Sequence, residues 1–256
     1  MFWNLRTSWR RTLDADIYFV QSTTPTAMIT IDFTEISGHI LVPVAYGQAL
    51  IDTGSPGSFA PAPFQFAGRE YAPPAAMACF SPERLSELSG IQIDALIGCD
   101  ILSELTVRFR WHDRKIDIGE DVPDAPSHEH FTPLMGTPVF SVGLGGRDAK
   151  ALFDTGAHLS YIDPALVAGM KATGNKADFH PMCGPYIAPT YMVSTSLVDF
   201  EHDLKYGVLS GTVGQMTAMA MAASGTSAII GTSLLEHFDC TISWQRGTVS
   251  WTPNQG

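Results

Sequence analysis

Two aspartates stand out by their surroundings. Ala49-Leu50-Ile51-Asp52-Thr53-Gly54-Ser55 returns, 102 positions later, as Ala151-Leu152-Phe153-Asp154-Thr155-Gly156-Ala157. A carboxylate that follows an apolar strand and precedes a Thr-Gly turn stands at a strand end, where glycine lets another backbone come close. If duplication sets two such groups across a twofold axis, about 3 Å apart, both cannot ionise and they share one proton. The pair is then an acid and a base at once. A water held between them is deprotonated by the charged member while the protonated member donates to a carbonyl oxygen. That is general acid–base hydrolysis without a covalent intermediate. Thr53 and Thr155 are placed to hydrogen-bond across the axis and fix the two loops. Such chemistry calls for no metal and no cofactor.

The elements that must position these residues repeat as well. Ala95-Leu96-Ile97-Gly98-Cys99-Asp100-Ile101-Leu102 is matched, in the same order, by Ala228-Ile229-Ile230-Gly231-Thr232-Ser233-Leu234-Leu235. Each copy runs into an expected hairpin, Leu105 to Ile118 and Cys240 to Trp251. Two landmarks repeated in order are what a duplicated half-molecule leaves behind. Between the copies, 119–133 reads GEDVPDAPSHEHFTP, rich in proline and acid, and is the expected linker. The chain therefore divides into an N-terminal extension (1–20), a first lobe (21–118), the linker and a second lobe (134–256). Short runs rich in β-branched or aromatic residues predict strands at Ala27–Phe33, Ile40–Ala45, Gln48–Asp52, Val139–Leu144 and Lys150–Asp154. Helices are expected to be few and short. Ser81-Pro82-Glu83 predicts one helix start, Asp163-Pro164 another, with further turns after Gly98 and Gly231.

Composition narrows the function. The chain has 256 residues, 45% apolar and only 16% charged, so it can bury a core and is neither a disordered tail nor a coiled coil. A net charge of −11 speaks against a broad phosphate-binding surface, so no nucleic-acid partner is expected. Four cysteines, none spaced C-x-x-C, are read as reduced thiols. Tyr206 to Leu235 carries no charge, but its glycines, serines and threonines suit strands, turns and an inner barrel face better than a membrane helix. No membrane partner is expected. Arg6, Arg10 and Arg11 have no apolar run behind them, so no secretory signal is visible and a cytoplasmic location follows by default.

Two Asp-Thr-Gly triplets, each followed by a hydrophobic-hydrophobic-Gly segment, resemble the aspartic proteases, and the compact retropepsin-like branch more than the longer pepsin-like lobes. The resemblance runs from about Thr26 to Pro253. It implies an all-β fold of two pseudo-twofold related β-barrel lobes. It also implies an aspartic endopeptidase with Asp52 and Asp154 as catalytic dyad, Thr53 and Thr155 as cross-lobe grip, and Gly54 and Gly156 as close-approach positions. Ser55 and Ala157 complete the two active loops. Because both aspartates lie in one chain, a monomer acting on a peptide or protein substrate is expected. Only Ser55 offers a hydroxyl to its aspartate, so the pair is expected to be less acidic than in stomach-type enzymes, with an optimum above strongly acid pH.

The two halves are unequal. The first is shorter between its aspartate and its buried glycine, in the region where the family carries a flap hairpin. His180 to Val193, with Tyr186 and Tyr191, is the expected flap of the second half, and Tyr71 is the first-half alternative. His158 follows the second triplet closely enough to line the cleft. These four are the expected substrate-binding residues. His128-Glu129-His130 is expected to be a solvated loop and not a metal site. Gly143-Leu144-Gly145-Gly146 is a hairpin turn, and Met216 to Ala223 are expected to pack in the core or to cover the channel. The competing functional reading is a catalytically silent peptide-binding or interaction module on the same fold.

Overall fold

The computed structural model of the chain describes residues 27–77, 80–120, 122–198 and 200–254. The expected N-terminal extension and Cys79 lie outside the described residues. The first half runs β1 (Ile29–Asp32), β2 (Thr34–Ile36), β3 (His39–Val44), β4 (Gly47–Ile51), β5 (Phe64–Phe66), β6 (Arg69–Tyr71), α1 (Pro82–Ser89), β7 (Ala95–Ile97), α2 (Cys99–Leu102), β8 (Thr106–Arg110) and β9 (Lys115–Gly119). The span expected as a linker carries two short strands, β10 (His128–His130) and β11 (Thr132–Leu134). The second half continues with β12 (Thr137–Leu144), β13 (Arg147–Phe153), β14 (Ser160–Ile162), β15 (Gly174–His180), β16 (Gly184–Leu197), β17 (Phe200–Gly207), α3 (Gly211–Ser224), β18 (Ala228–Ile230), β19 (Phe238–Ser243) and β20 (Thr248–Pro253).

The duplication in sequence is a duplication in pairing. β4 lies parallel to β7 with Ile51 opposite Ile97, and β13 lies parallel to β18 with Phe153 opposite Ile230. Where they pair, Ala49-Leu50-Ile51 with Ala95-Leu96-Ile97 and Ala151-Leu152-Phe153 with Ala228-Ile229-Ile230, every residue is apolar and nearly all are buried, as befits parallel strands covered on both faces. At their ends Asp52 N–H donates to Ile97 O at 3.0 Å and Asp154 N–H to Ile230 O at 2.9 Å, so each aspartate leaves its sheet at the same point. The Gly145-Gly146 turn between β12 and β13 has φ of 57° and 75°, the left-handed values that a tight hairpin needs.

The expectation of an all-β fold with two β-barrel lobes is overturned. The chain is a mixed α/β fold of open sheets. Among the described residues, a four-stranded sheet (β2-β3-β4-β7), an eight-stranded sheet (β11-β12-β13-β18-β14-β17-β16-β15) and a six-stranded sheet (β1-β9-β8-β19-β20-β10) each end on two unpaired edges, with β5-β6 standing apart. Two residues of β12 also pair with β16, which folds the large sheet over without removing its edges. A barrel pairs every strand on both sides. Here a helix instead occupies the chain just before each inner parallel strand, α1 before β7 and α3 before β18.

Helix α1 forms as its residues dictate. Ser81 caps it by accepting from Arg84 N–H at 3.3 Å, Pro82 opens it, and Gly90 closes it in the left-handed region. Helix α3 was not expected, because the glycines, serines and threonines around it read as strand and turn. Within it, Gln-Met-Thr-Ala-Met-Ala-Met-Ala-Ala is dominated by strong helix formers, and Gly225 terminates it at φ 65°. Of its methionines, Met221 is buried while Met219 is 73% exposed. Among the described residues, no helix is long and apolar enough to cross a membrane.

The six-stranded sheet draws strands from both halves, with Cys240 opposite Phe109, and so fixes one half against the other. Behind it Phe109, Phe140, Phe153 and Trp251 form an aromatic cluster, with Phe140 and Trp251 centroids 5.2 Å apart. Phe153 thus anchors in the common core the strand that ends at Asp154. Cys99, Cys183 and Cys240 are free thiols.

Candidate active site

The two Asp-Thr-Gly turns meet where β4 and β13 end. Thr53 N–H donates to Thr155 Oγ1 and Thr155 N–H to Thr53 Oγ1, each at 3.0 Å. The hydroxyls pass the connection on: Thr53 Oγ1 donates to Phe153 O at 2.7 Å and Thr155 Oγ1 to Ile51 O at 2.8 Å. Both threonines are fully buried, so their N–H groups and hydroxyls depend on partners from the other half.

This lattice sets each carboxyl against the opposite glycine. A Cβ on Gly54 would lie 2.3 Å from Asp154 Cγ, and a Cβ on Gly156 would lie 2.5 Å from Asp52 Cγ. No other residue type leaves that space. The Asp52 and Asp154 side chains are half-buried and close enough to hydrogen-bond to each other. Asp52 Oδ1 accepts from Gly54 N–H at 2.8 Å and Ser55 N–H at 2.9 Å, while Asp154 Oδ1 accepts from Gly156 N–H at 2.9 Å.

Both carboxyls are held above the ordinary aspartate range. Burial is the leading cause for each, and for Asp52 the Asp154 charge comes next. The turn N–H groups pull in the opposite direction by stabilising the charged form. Because the two groups contact one another, their protons belong to the pair and not to either residue alone. A pair that keeps one proton while accepting hydrogen bonds on the other carboxylate can act as acid and base together.

Supporting contacts repeat between halves. Ser58 Oγ accepts from Gly98 N–H at 2.8 Å and Ser160 Oγ accepts from Gly231 N–H at 3.1 Å. Cys99 N–H donates to Ser55 O and Thr232 N–H to Ala157 O, at 2.8 and 2.9 Å. Ser58 and Ser160 escaped the sequence analysis although each stands at the same offset from its aspartate; that equal offset was the signal available. Cys99 sits behind the first turn, its Sγ 3.1 Å from Thr53 O, and burial followed by the Asp52 charge pushes its thiol up to about 12.

The other expected site residues fall in different places. Ser55 departs from expectation: it gives Asp52 its backbone N–H, while its hydroxyl donates to Gly57 O at 2.7 Å. His158 lines a cleft of about 430 Å³ between the halves, with Glu35, Gly38, Arg114, Lys176 and Glu236. Its Nδ1 is 3.3 Å from Thr232 Oγ1. Residues 180–193 belong to a hairpin of β15 and β16, with His180 opposite Gly184 at its tip. Tyr186 lies on that hairpin with its hydroxyl 2.7 Å from the Tyr161 hydroxyl. Tyr191 is farther along β16, opposite Tyr206, and packs on the main core. Tyr71 is on β6, where its hydroxyl donates to Glu104 at 3.4 Å. Of the four expected substrate-binding residues, Tyr71 is engaged by Arg69 and Glu104. His128 and His130 are on a strand, and Glu129 between them accepts from Ser141 N–H at 3.3 Å.

No family model matches the chain, and no curated protein matches it. Among solved structures it is similar to the solution structure of Simian Foamy Virus (mac) protease, at 10% sequence identity and a TM-score of 0.27. That match covers 37% of this chain and 88% of the viral one, a weak and partial likeness.

Proposed function

We propose that the chain is an aspartic endopeptidase that hydrolyses peptide bonds by activating water on the Asp52 and Asp154 pair. The observation that carries this reading is the reciprocal seating of each carboxyl against the glycine of the other turn, with Thr53 and Thr155 binding the turns together. In this reading residues 21–118 and 134–256 are two lobes joined by 119–133, and each supplies one aspartate.

The ionised member of the pair takes a proton from water, and the protonated member donates to the oxygen of the scissile carbonyl. The tetrahedral adduct then collapses as the proton passes to the departing amine. Gly54, Ser55, Gly156 and Ala157 hold the carboxyls through backbone N–H groups. Thr53 and Thr155 keep the turns in register, so the acid and the base need no rearrangement during the reaction. An extended peptide lies across the Asp52–Asp154 pair, its backbone meeting sheet edges or the β15–β16 hairpin. Tyr186 and His158 face it from the second half.

The test is digestion of an unfolded protein or peptide library by wild type, Asp52→Asn and Asp154→Asn. Cleavage by wild type alone is the expected result. If all three proteins bind peptides and none cleaves, the chain is a silent peptide-binding module. Activity per chain that holds on dilution is expected of a monomer, and a fall on dilution would require a second copy.

A further inference from the structure

The cleft between the halves has one wall from each. Glu35, Gly38, Trp111 and Arg114 line it from the first half, and His158, Lys176 and Glu236 from the second. On the first wall the charges are already matched. Arg114 Nη2 donates to Glu35 Oε2 at 3.0 Å, its guanidinium carbon lies 5.0 Å from the Trp111 ring centre, and Glu35 Oε1 accepts from Gly38 N–H at 2.7 Å. The second wall has no such match.

His158 is held so that its proton can be assigned. Gly38, at φ 85°, leaves the ring its place, since a Cβ there would lie 2.0 Å from Nδ1. Nδ1 is 3.3 Å from Thr232 Oγ1, and that hydroxyl gives its single proton to Gly38 O at 2.5 Å. Thr232 Oγ1 can then only accept from His158. The neutral ring therefore carries its proton on Nδ1 and a lone pair on Nε2. Burial lowers the His158 pKa below the ordinary histidine value, against the pull of Glu236, so the ring is neutral at pH 7.

Nε2 lies 4.0 Å from Glu236 Oε1. Two acceptors thus stand side by side with no hydrogen between them, and the Glu236 carboxylate accepts no hydrogen bond among the described residues. Lys176, on β15, lines the same wall, but its ammonium makes no hydrogen bond or ion pair among the described residues. An ammonium nitrogen about 2.9 Å from both acceptors fits their spacing with little bending of its N–H bonds. A carboxylate placed there would face a lone pair and a like charge. The place adjoins the second active turn in the chain: His158 is four residues after Asp154, and its O accepts from Ser233 N–H at 3.1 Å. Pro56 holds the same offset after Asp52, so the first half has no counterpart.

We propose that the cleft is a cation subsite that seats a primary ammonium of the peptide substrate between His158 Nε2 and the Glu236 carboxylate. A lysine side chain and a free amino terminus share that chemistry, and the enzyme favours peptides that carry one at a fixed distance from the bond cut. This inference rests on the endopeptidase reading and names a substrate class for it.

Two measurements test it. In the first, nitrogen-15 NMR of labelled histidine follows the full chain at pH 7, the His158 signals being those missing from His158→Gln. Nδ1 is expected to be protonated and Nε2 bare. Added n-butylammonium is expected to shift Nε2, and tetramethylammonium, which has the charge but no N–H, is not. A proton on Nε2 in the free protein, or an equal response to the two cations, overturns the inference. In the second, wild type and Glu236→Gln cut a peptide library with one lysine at varied positions or norleucine in its place, the amino terminus free or acetylated. Wild type is expected to show a kcat/KM about 10-fold higher where an ammonium sits at the favoured position, the gain of a hydrogen bond to a charged group. Glu236→Gln should lose that preference and cut the ammonium-free peptides as wild type does. Acetylated lysine peptides and norleucine peptides with free ends tell the two sources apart. Rates indifferent to the ammonium, or a preference that survives in Glu236→Gln, overturn the inference and leave the peptidase reading standing. A library that wild type leaves uncut sinks that reading, and the nitrogen-15 response alone then decides the cation site.

Discussion

Thr53 and Thr155 hold each other by exchanged hydrogen bonds, each backbone N–H donating to the other's hydroxyl at 3.0 Å across 102 positions of chain. Each hydroxyl then donates to the strand behind its partner. Replacing either side chain by an isostere without the hydroxyl orphans a buried N–H and a buried C=O at once. Thr53→Val is therefore expected to lose on the order of 2 kcal/mol or more, since each orphaned buried group costs about 1–3 kcal/mol. Thr53→Ser, which keeps the hydroxyl, should lose much less. Urea unfolding of the two variants checks this; equal losses would mean that the methyl group, and not the hydrogen bonding, holds the turns.

The close approach of Gly54 to Asp154 and of Gly156 to Asp52 makes a second prediction. A methyl group at either glycine overlaps a carboxyl carbon, at 2.3 and 2.5 Å, so the pair must separate. Gly54→Ala and Gly156→Ala are expected to reduce peptide cleavage by about 100-fold or more, as an ångström of displacement in a reacting pair does. Circular dichroism should stay near wild type. Full activity in either variant would remove the paired-carboxyl geometry from the mechanism.

Stability should depend on pH in a direction set by the raised carboxyls. In the unfolded chain Asp52 and Asp154 ionise near pH 4, below the range in which the folded pair does so. The folded state therefore binds more protons over that interval, and its stability falls as pH rises through it. Asp52→Asn removes one ionisation from the buried pair. Its Tm is expected to exceed that of wild type at pH 7 by several degrees and to match it below about pH 4. A variant less stable than wild type at pH 7 would contradict the displacement.

The same displacement bears on activity. In the proposed mechanism the pair works while it holds one proton, and burial extends that state upward in pH, so peptide cleavage should peak above strongly acid pH. A maximum near pH 2 to 3 would oppose this. Because the Ser55 hydroxyl donates to Gly57 O and only its backbone N–H reaches Asp52, Ser55→Ala should leave the acid limb of the profile almost unmoved. A clear upward movement would place the hydroxyl on the carboxylate after all.

Much of the local structure was legible from residue types. The Leu105–Ile118 and Cys240–Trp251 hairpins, the Ser81-capped helix and the Gly145-Gly146 turn all depend on neighbours in sequence, and each was found where its residues pointed. Helix α3 was missed because its glycines, serines and threonines drew attention from the alanines and methionines among them. Sheet closure was misjudged for a different reason: whether a sheet's last strand finds a partner depends on what lies beside it in space, and no local pattern reports that.

The sequence by itself determined the duplication. Two Asp-Thr-Gly turns, two hydrophobic-hydrophobic-Gly segments and their common order are properties of the chain, and strand propensity with glycine placement follows from short-range sterics. Tertiary structure alone decided which carboxyls and hydroxyls meet. Asp178 and Tyr161 carry no motif, and they join only because the β15–β16 hairpin lies across β14. Ser55 could face its aspartate from either its amide or its hydroxyl, and a nearby carbonyl settled which. Hydrogen bonds and charge act over a few ångströms, so residues far apart in sequence acquire their roles only once folding has removed the distance between them.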